Sequence, residues 1–267
     1  MKLKLKQITL CADDFALHPA VDAAVVALAA AGRLSATSCM STAPRWPEAA
    51  ALLAPLRSVL QVGLHFNLTE GHGQNAPSLL RVLAQAYSGR LRPTAMAEAL
   101  VRQLDAFELH WGHPPDFIDG HQHVHQLPGV RPALLQVLRG RYGGPMPWVR
   151  STVPAAPSVG INKATLLALL GGWSLQRALG RAHLCHNRGF AGVYGFDAAS
   201  PEAYGQRMAQ WLTNASDGSL IMCHPAKVPV LGDAIGAQRA IEYAYLASPE
   251  FGDLLRHLGL QLACGRW

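Results

Sequence analysis

The stretch "QITLCADDFALHPAVDAAVVALAAAGRL", residues 7–34, decides the fold. Its first eight residues are apolar and β-rich and close on two carboxylates, Asp13 and Asp14, so they read as a buried strand. From His18 the pattern changes. Pro19 suits a first helical turn, Val21, Ala24, Val25 and Leu28 fall on one face, and Gly32 ends the run. One strand feeding one helix is the unit from which parallel α/β folds are made.

Working outward, the same alternation recurs about seven times. Strands are expected at 35–42, 59–68, 116–121, 146–152, 218–226 and 260–264. Helices are expected near 46–56, 94–112, 128–140, 162–182 (interrupted at Gly171 and Gly172), 200–214, 234–246 and 249–258. Residues 70–93, rich in Gly, Pro and polar groups, read as a long loop over a site. No composition break marks a second domain, so residues 1–267 form one. Polar groups close several strands: "CADD" the first, "GLH" (63–65) the third, "IDGH" (118–121) the fourth and "MCH" (222–224) a late one. In a parallel barrel those C-terminal ends meet on one face, where active sites are built.

The bulk numbers remove several classes of function. Half of the 267 residues are hydrophobic and 15% are charged, enough for a large core. The formal charge of +6 comes from scattered arginines and one small cluster, "KLKLK" (2–6), with no nucleic-acid-binding motif beside it, so no nucleic-acid partner is expected. The five cysteines are widely spaced and lack C-x-x-C, which argues against a disulfide framework or a zinc knuckle. The opening lacks a signal peptide's continuous apolar stretch, and no run of about 18 apolar residues occurs. A cytoplasmic protein without a transmembrane segment is the expectation. G-x-S-x-G and P-loop motifs are absent. "GFAGVYGFD" (189–197) departs from G-x-G-x-x-G and reads as a packing loop, with a sugar-facing loop as the alternative.

Four groups can carry chemistry. Asp13 and Asp14 leave a buried strand together, which is costly unless something cationic receives them. In extended backbone they point to opposite sides, so one can bind a metal while the other serves as general base. Their plain alternative is a helix N-terminus, where aspartate is favoured. His65 ends the third strand, and Asn67 shares its face. In "DGHQHVHQ" (119–126), an extended backbone sets His121, His123 and His125 on one side, roughly 6.5–7 Å apart, while a coiled one makes His121 and His125 an i, i+4 metal pair. Asp119 can orient one of these imidazoles. His224, delivered by an apolar strand to a His-Pro end, suits a positioned acid or base.

Together these residues resemble the YdjC-type carbohydrate deacetylases, the family of chitooligosaccharide deacetylase and the hopanoid-associated HpnK-like proteins. The matching pieces are "ADDFALHPAV" (12–21), "GLHFNLTEG" (63–71), "DFIDGHQHVHQLPGV" (116–130) and "CHPA" (223–226), in the family's order and over nearly the whole chain. The family usually reads "ADDFG" where this chain has Ala16, and "SHHHVH" where this chain has Gly120 and Gln122. The resemblance implies a single YdjC-like deacetylase domain on a distorted (β/α) TIM-like barrel of about seven mostly parallel strands. By position it implies Asp14, His65 and His121 as ligands of one divalent metal ion and Asp13 as base, with His125 as a reserve ligand. His123 and His224 look like substrate or acid groups. Magnesium follows from the resemblance, whereas two imidazoles and a carboxylate suit zinc, iron or cobalt. The implied reaction removes the N-acetyl group of an amino sugar, giving acetate and a free amine. The rivals are another metal hydrolase on the same barrel, such as a phosphoesterase, and a non-catalytic sugar-binding protein. Whether the chain forms a homo-oligomer stays open.

Overall fold

A computed structural model describes residues 5–155 and 162–264. Lys2 and Lys4 of the basic opening lie outside the described residues, as do residues 156–161. The strands are β1 (Lys6–Phe15), β2 (Ala36–Cys39), β3 (Gln61–Phe66), β4 (Phe117–Gly120), β5 (Trp148–Val149), β6 (Gly189–Ala191), β7 (Ser219–Cys223) and β8 (Leu260–Leu262). Every pairing among them is parallel, in the order β5-β4-β3-β2-β1-β7-β6, with β8 added against the start of β1. The seven-strand path curls into a half-barrel, as expected of a distorted (β/α) barrel, and β8 makes an eighth strand. The strands are short and almost wholly buried, as parallel sheets covered by helices must be.

Among the described residues the curled sheet does not close through a ladder. Strands β5 and β6 face each other across a seam joined by single bonds: Val149 N donates to Cys185 O at 3.0 Å, and Asn187 accepts from Ser151 N and donates to Ser151 O. Asn187 is fully buried there.

Helices α1 (Pro19–Ala30), α2 (Trp46–Leu53), α3 (Leu79–Tyr87), α4 (Pro93–Trp111), α5 (Val130–Arg141), α6 (Lys163–Leu167), α7 (Trp173–Ala182), α8 (Pro201–Thr213), α9 (Gly236–Ala247) and α10 (Pro249–His257) cover the sheet. Their ends follow local chemistry. His18 caps α1 by accepting from Ala20 N, Ser200 caps α8 before Pro201, and Gly112 ends α4 in the left-handed region. A wide π turn at 168–172, with Gly171 at φ 116°, separates α6 from α7, as its two glycines foretell.

One expectation is corrected: residues 70–93 are not a continuous loop. Ser78 accepts from Arg81 N and starts α3, whose Leu79, Val82, Leu83 and Ala86 are spaced for one apolar face, with Val82 and Ala86 buried. The turn-forming residues are confined to either side of it.

Candidate active site

The site begins with an irregularity in β1. Between the pairs Ala12–Thr37 and Phe15–Cys39, β1 advances three residues while β2 advances two. Asp14 takes the extra step at φ 65°, and Ala16 follows at φ 74°. This bulge corrects the expectation that the adjacent aspartates point to opposite sides: both line a single cleft of about 710 Å³ at the C-terminal ends of the strands. Ala16 therefore occupies the left-handed turn that a glycine adopts freely, at a cost of about 1 kcal/mol or more. Asp22 holds the turn by accepting from Ala16 N at 2.7 Å.

Two buried arginines receive the two carboxylates. Arg150, just past β5 and fully buried, binds both oxygens of Asp13 at 2.6 and 2.7 Å and reaches Asp119 at 2.5 Å and Cys11 Sγ at 3.1 Å. Arg239, on α9, donates to Asp14 Oδ2 at 2.7 Å and to Asp233. Burial raises both carboxyl pKa values, but the facing guanidinium charges outweigh it and hold Asp13 and Asp14 below the usual carboxylate range.

Opposite Asp14 stand two imidazoles. His65 Nε2 lies 3.3 Å and His121 Nδ1 3.0 Å from Asp14 Oδ1. Asp119, adjacent across the β3–β4 ladder, takes the Nδ1 proton of His65 at 2.6 Å, so Nε2 is the nitrogen turned to Asp14. Ser38 bridges Asp13 and His65. Burial lowers the His65 pKa, yet Asp119, Asp14 and Asp13 prevail and push it up to about 10.

The segment "HQHVHQ" fits neither sequence reading. Gln122 and His123 both have positive φ, 50° and 60°, so the three histidines fan apart. His121 reaches Asp14, His123 packs edge-on against Phe190 with ring centroids 5.7 Å apart, and His125 turns inward to donate to Arg150 O at 3.0 Å. Gly120 permits this: a Cβ there would stand 2.8 Å from His125 N. His125 thus supports Arg150 and is not brought to the ligand group, and the His121–His125 pair is not formed. Burial drives the pKa of His123 well below its ordinary value and that of His125 down to about 4, keeping both rings neutral. Asp119 orients His65 rather than a histidine of its own loop. Asn67 does not face the cleft with His65: it folds the following turn, accepting from Thr69 N and Glu70 N and donating to Thr42 and Glu70 O.

Among the described residues, Asp14, His65 and His121 offer ligand atoms within 4.8 Å of one another. The spacings of 3.0 and 3.3 Å to Asp14 Oδ1 match those of donors that share one ion at roughly 2.0–2.2 Å each. The residues fit a divalent cation. A second group, Cys11, Asp13 and Asp119, is of similar size but already encloses the Arg150 guanidinium. Across the cleft, His224 Nε2 stands 4.0 Å from Asp13 Oδ2.

Sequence reasoning missed Arg150, Arg239, Ser38 and Glu242. Arg150 left a signal, an arginine ending the apolar "MPWV" at the same strand end as the other polar groups. Arg239 and Glu242 left only a three-residue spacing on one helix face.

Comparison with known proteins bears on the family and the fold. The family profile described as YdjC-like protein matches residues 7–257. Chitooligosaccharide deacetylase of Serratia marcescens is 28% identical over 96% of this chain and 97% of its own length. Carbohydrate deacetylase of Mus musculus is 34% identical over 58% of this chain and 52% of its own length. Among solved structures, an Enterococcus faecalis protein named for cellobiose-phosphate cleavage superposes with a TM-score of 0.70 at 20% identity, covering 97% of both chains, which concerns the fold alone.

Proposed function

The chain belongs to the YdjC-like family, and from that premise we propose that it is a metal-dependent deacetylase that hydrolyses the N-acetyl group of an amino sugar to acetate and a free amine. One observation carries the reading. A base candidate, Asp13, and an acid candidate, His224, face each other beside a three-residue group shaped for one cation.

Asp14, His65 and His121 would hold the ion; bound there, it would polarise the acetyl carbonyl and acidify a water. Asp13 accepts the proton of the attacking water. Arg150 fixes both its oxygens and keeps it ionised, at the expense of intrinsic basicity. His224, entering protonated, gives its proton to the amine nitrogen as the C–N bond breaks. Base and acid each contribute about 10²–10⁴-fold in such roles. His123, backed by Phe190, lines one side of the cleft, and Leu79 and Leu83 of α3 line it as well.

The ligand set suits zinc, iron or cobalt by softness, and the family resemblance favours magnesium. The substrate is an N-acetylated sugar, in keeping with the names of the relatives, and the protein acts in the cytoplasm. No helix among the described residues is long and apolar enough to cross a membrane. The test is acetate release from a panel of N-acetylated saccharides with and without a chelator. Acetate release that a chelator leaves at full rate refutes the metal dependence, and a chain that releases none from any saccharide refutes the deacetylase.

A further inference from the structure

Glu242 lies wholly inside the protein on α9, and among the described residues no basic side chain pairs with it. Its carboxylate is held by three donors instead. Tyr194 OH donates to Oε1 at 2.6 Å, the backbone N–H of His224 to Oε2 at 2.6 Å, and Tyr204 OH to Oε2 at 3.4 Å. A buried carboxylate satisfied only by hydroxyl and amide donors is expensive to keep, and hydrophobic packing would serve stability better.

What the carboxylate joins gives its use. The His224 ring is poorly anchored by its own atoms: Nδ1 is buried without a hydrogen-bond partner among the described residues, and Nε2 is 4.0 Å from Asp13, beyond hydrogen-bond reach. Its place is set by the backbone N–H that Glu242 holds and by Phe196, whose ring packs edge-on at 5.2 Å. Phe196, strained at φ 54°, packs in turn on Tyr194 at 4.7 Å, and Tyr194 hangs from the other oxygen of Glu242. The glycine-aromatic segment 189–197 is thereby drawn to the same point as the end of β7. One turn earlier on the same face of α9, Arg239 grips Asp14. A single helix thus fixes the candidate ligand with one residue and the candidate acid with another.

We propose that Glu242 is the positioning residue of His224, holding the acid and the aromatic wall beside it in register with Asp13. The inference rests on the deacetylase reading. A glutamine at 242 has one acceptor oxygen for the two short bonds, so the ring shifts while the fold keeps its volume. In the Glu242→Gln chain, kcat for acetate release falls roughly 10- to 100-fold, as expected of an acid displaced by about an ångström, while KM stays within about threefold. The deciding measurement is the double variant: in a His224→Ala background, Glu242→Gln has no further effect on kcat, since the group it positions is gone. A purely structural residue would lower the rate again. If Glu242→Gln does not fold, as read by circular dichroism, Tyr194→Phe removes one of the two short bonds alone, and the same loss, likewise abolished in the His224→Ala background, is expected. Wild-type rate in the folded variant, or additive losses in the double variant, overturns the proposal. A wild-type chain that releases no acetate from any N-acetylated saccharide fails the deacetylase reading instead.

Discussion

Replacing Arg150 by methionine tests the electrostatic centre of the site. The guanidinium is fully buried and pairs with both Asp13, at 2.6 and 2.7 Å, and Asp119, at 2.5 Å. Methionine matches its length but leaves two carboxylates inside with no guanidinium between them. Breaking a buried pair by deleting one partner costs about 3–5 kcal/mol. Because Arg150 serves two carboxylates, the upper part of that range is expected, which in a domain of this size lowers Tm by roughly 10–20 °C. Urea unfolding followed by circular dichroism measures the loss. Adding Asp13→Asn and Asp119→Asn to Arg150→Met removes the uncompensated charges, and the triple variant should regain more than half of the lost stability. Arg150→Lys should recover little, since one ammonium cannot span both carboxylates and Cys11 as the planar fork does. The reasoning is refuted if Arg150→Met costs less than about 1 kcal/mol, or if the two asparagines destabilise it further.

Asp13→Asn should lower acetate release by about 10²–10⁴-fold while metal content, measured by elemental analysis, is unchanged, because the residue is a base and not a ligand. His121→Ala should abolish metal binding in a protein that still melts cooperatively, since this imidazole is partly exposed and, among the described residues, hydrogen-bonds to Asp14 alone. Metal still bound one per chain would move the ligand role elsewhere. The wild-type chain should bind one ion, and two would favour a phosphoesterase. His125, neutral inside with its pKa near 4 against an ordinary 6.5, gives a stability term that is whole above pH 6.5 and is lost as pH falls toward 4. The term amounts to about 3 kcal/mol, and His125→Gln should flatten the acid limb of Tm against pH.

The sequence was most legible where local pattern and final structure share one cause. The apolar run ending in Asp13 and Asp14 made a strand that had to deliver its charges at its end, and "QVGLH" and "LIMCH" did the same for His65 and His224. Side-chain direction was less legible. It rested on regular backbone, and Asp14, Gln122 and His123 each take a left-handed step that regular alternation does not contain. The helix at 79–87 was hidden between two clusters of turn-forming residues. Arg150, Arg239 and Glu242 escaped for another reason: each is defined by a partner more than a hundred residues away or in another layer of the fold, and no local periodicity marks such a residue.

The seam between β5 and β6 carries a consequence for the cleft above it. In a closed ring, strand number and stagger dictate the girth. Here one junction is stitched, among the described residues, by the amide of Asn187 and one backbone bond, so no ladder dictates the circumference. Such a mouth can widen or narrow by altering one stitch, much as a belt is let out by a notch. Amide exchange at Val149 and Ser151 that runs faster than in the β1–β7 ladder would reveal that slack.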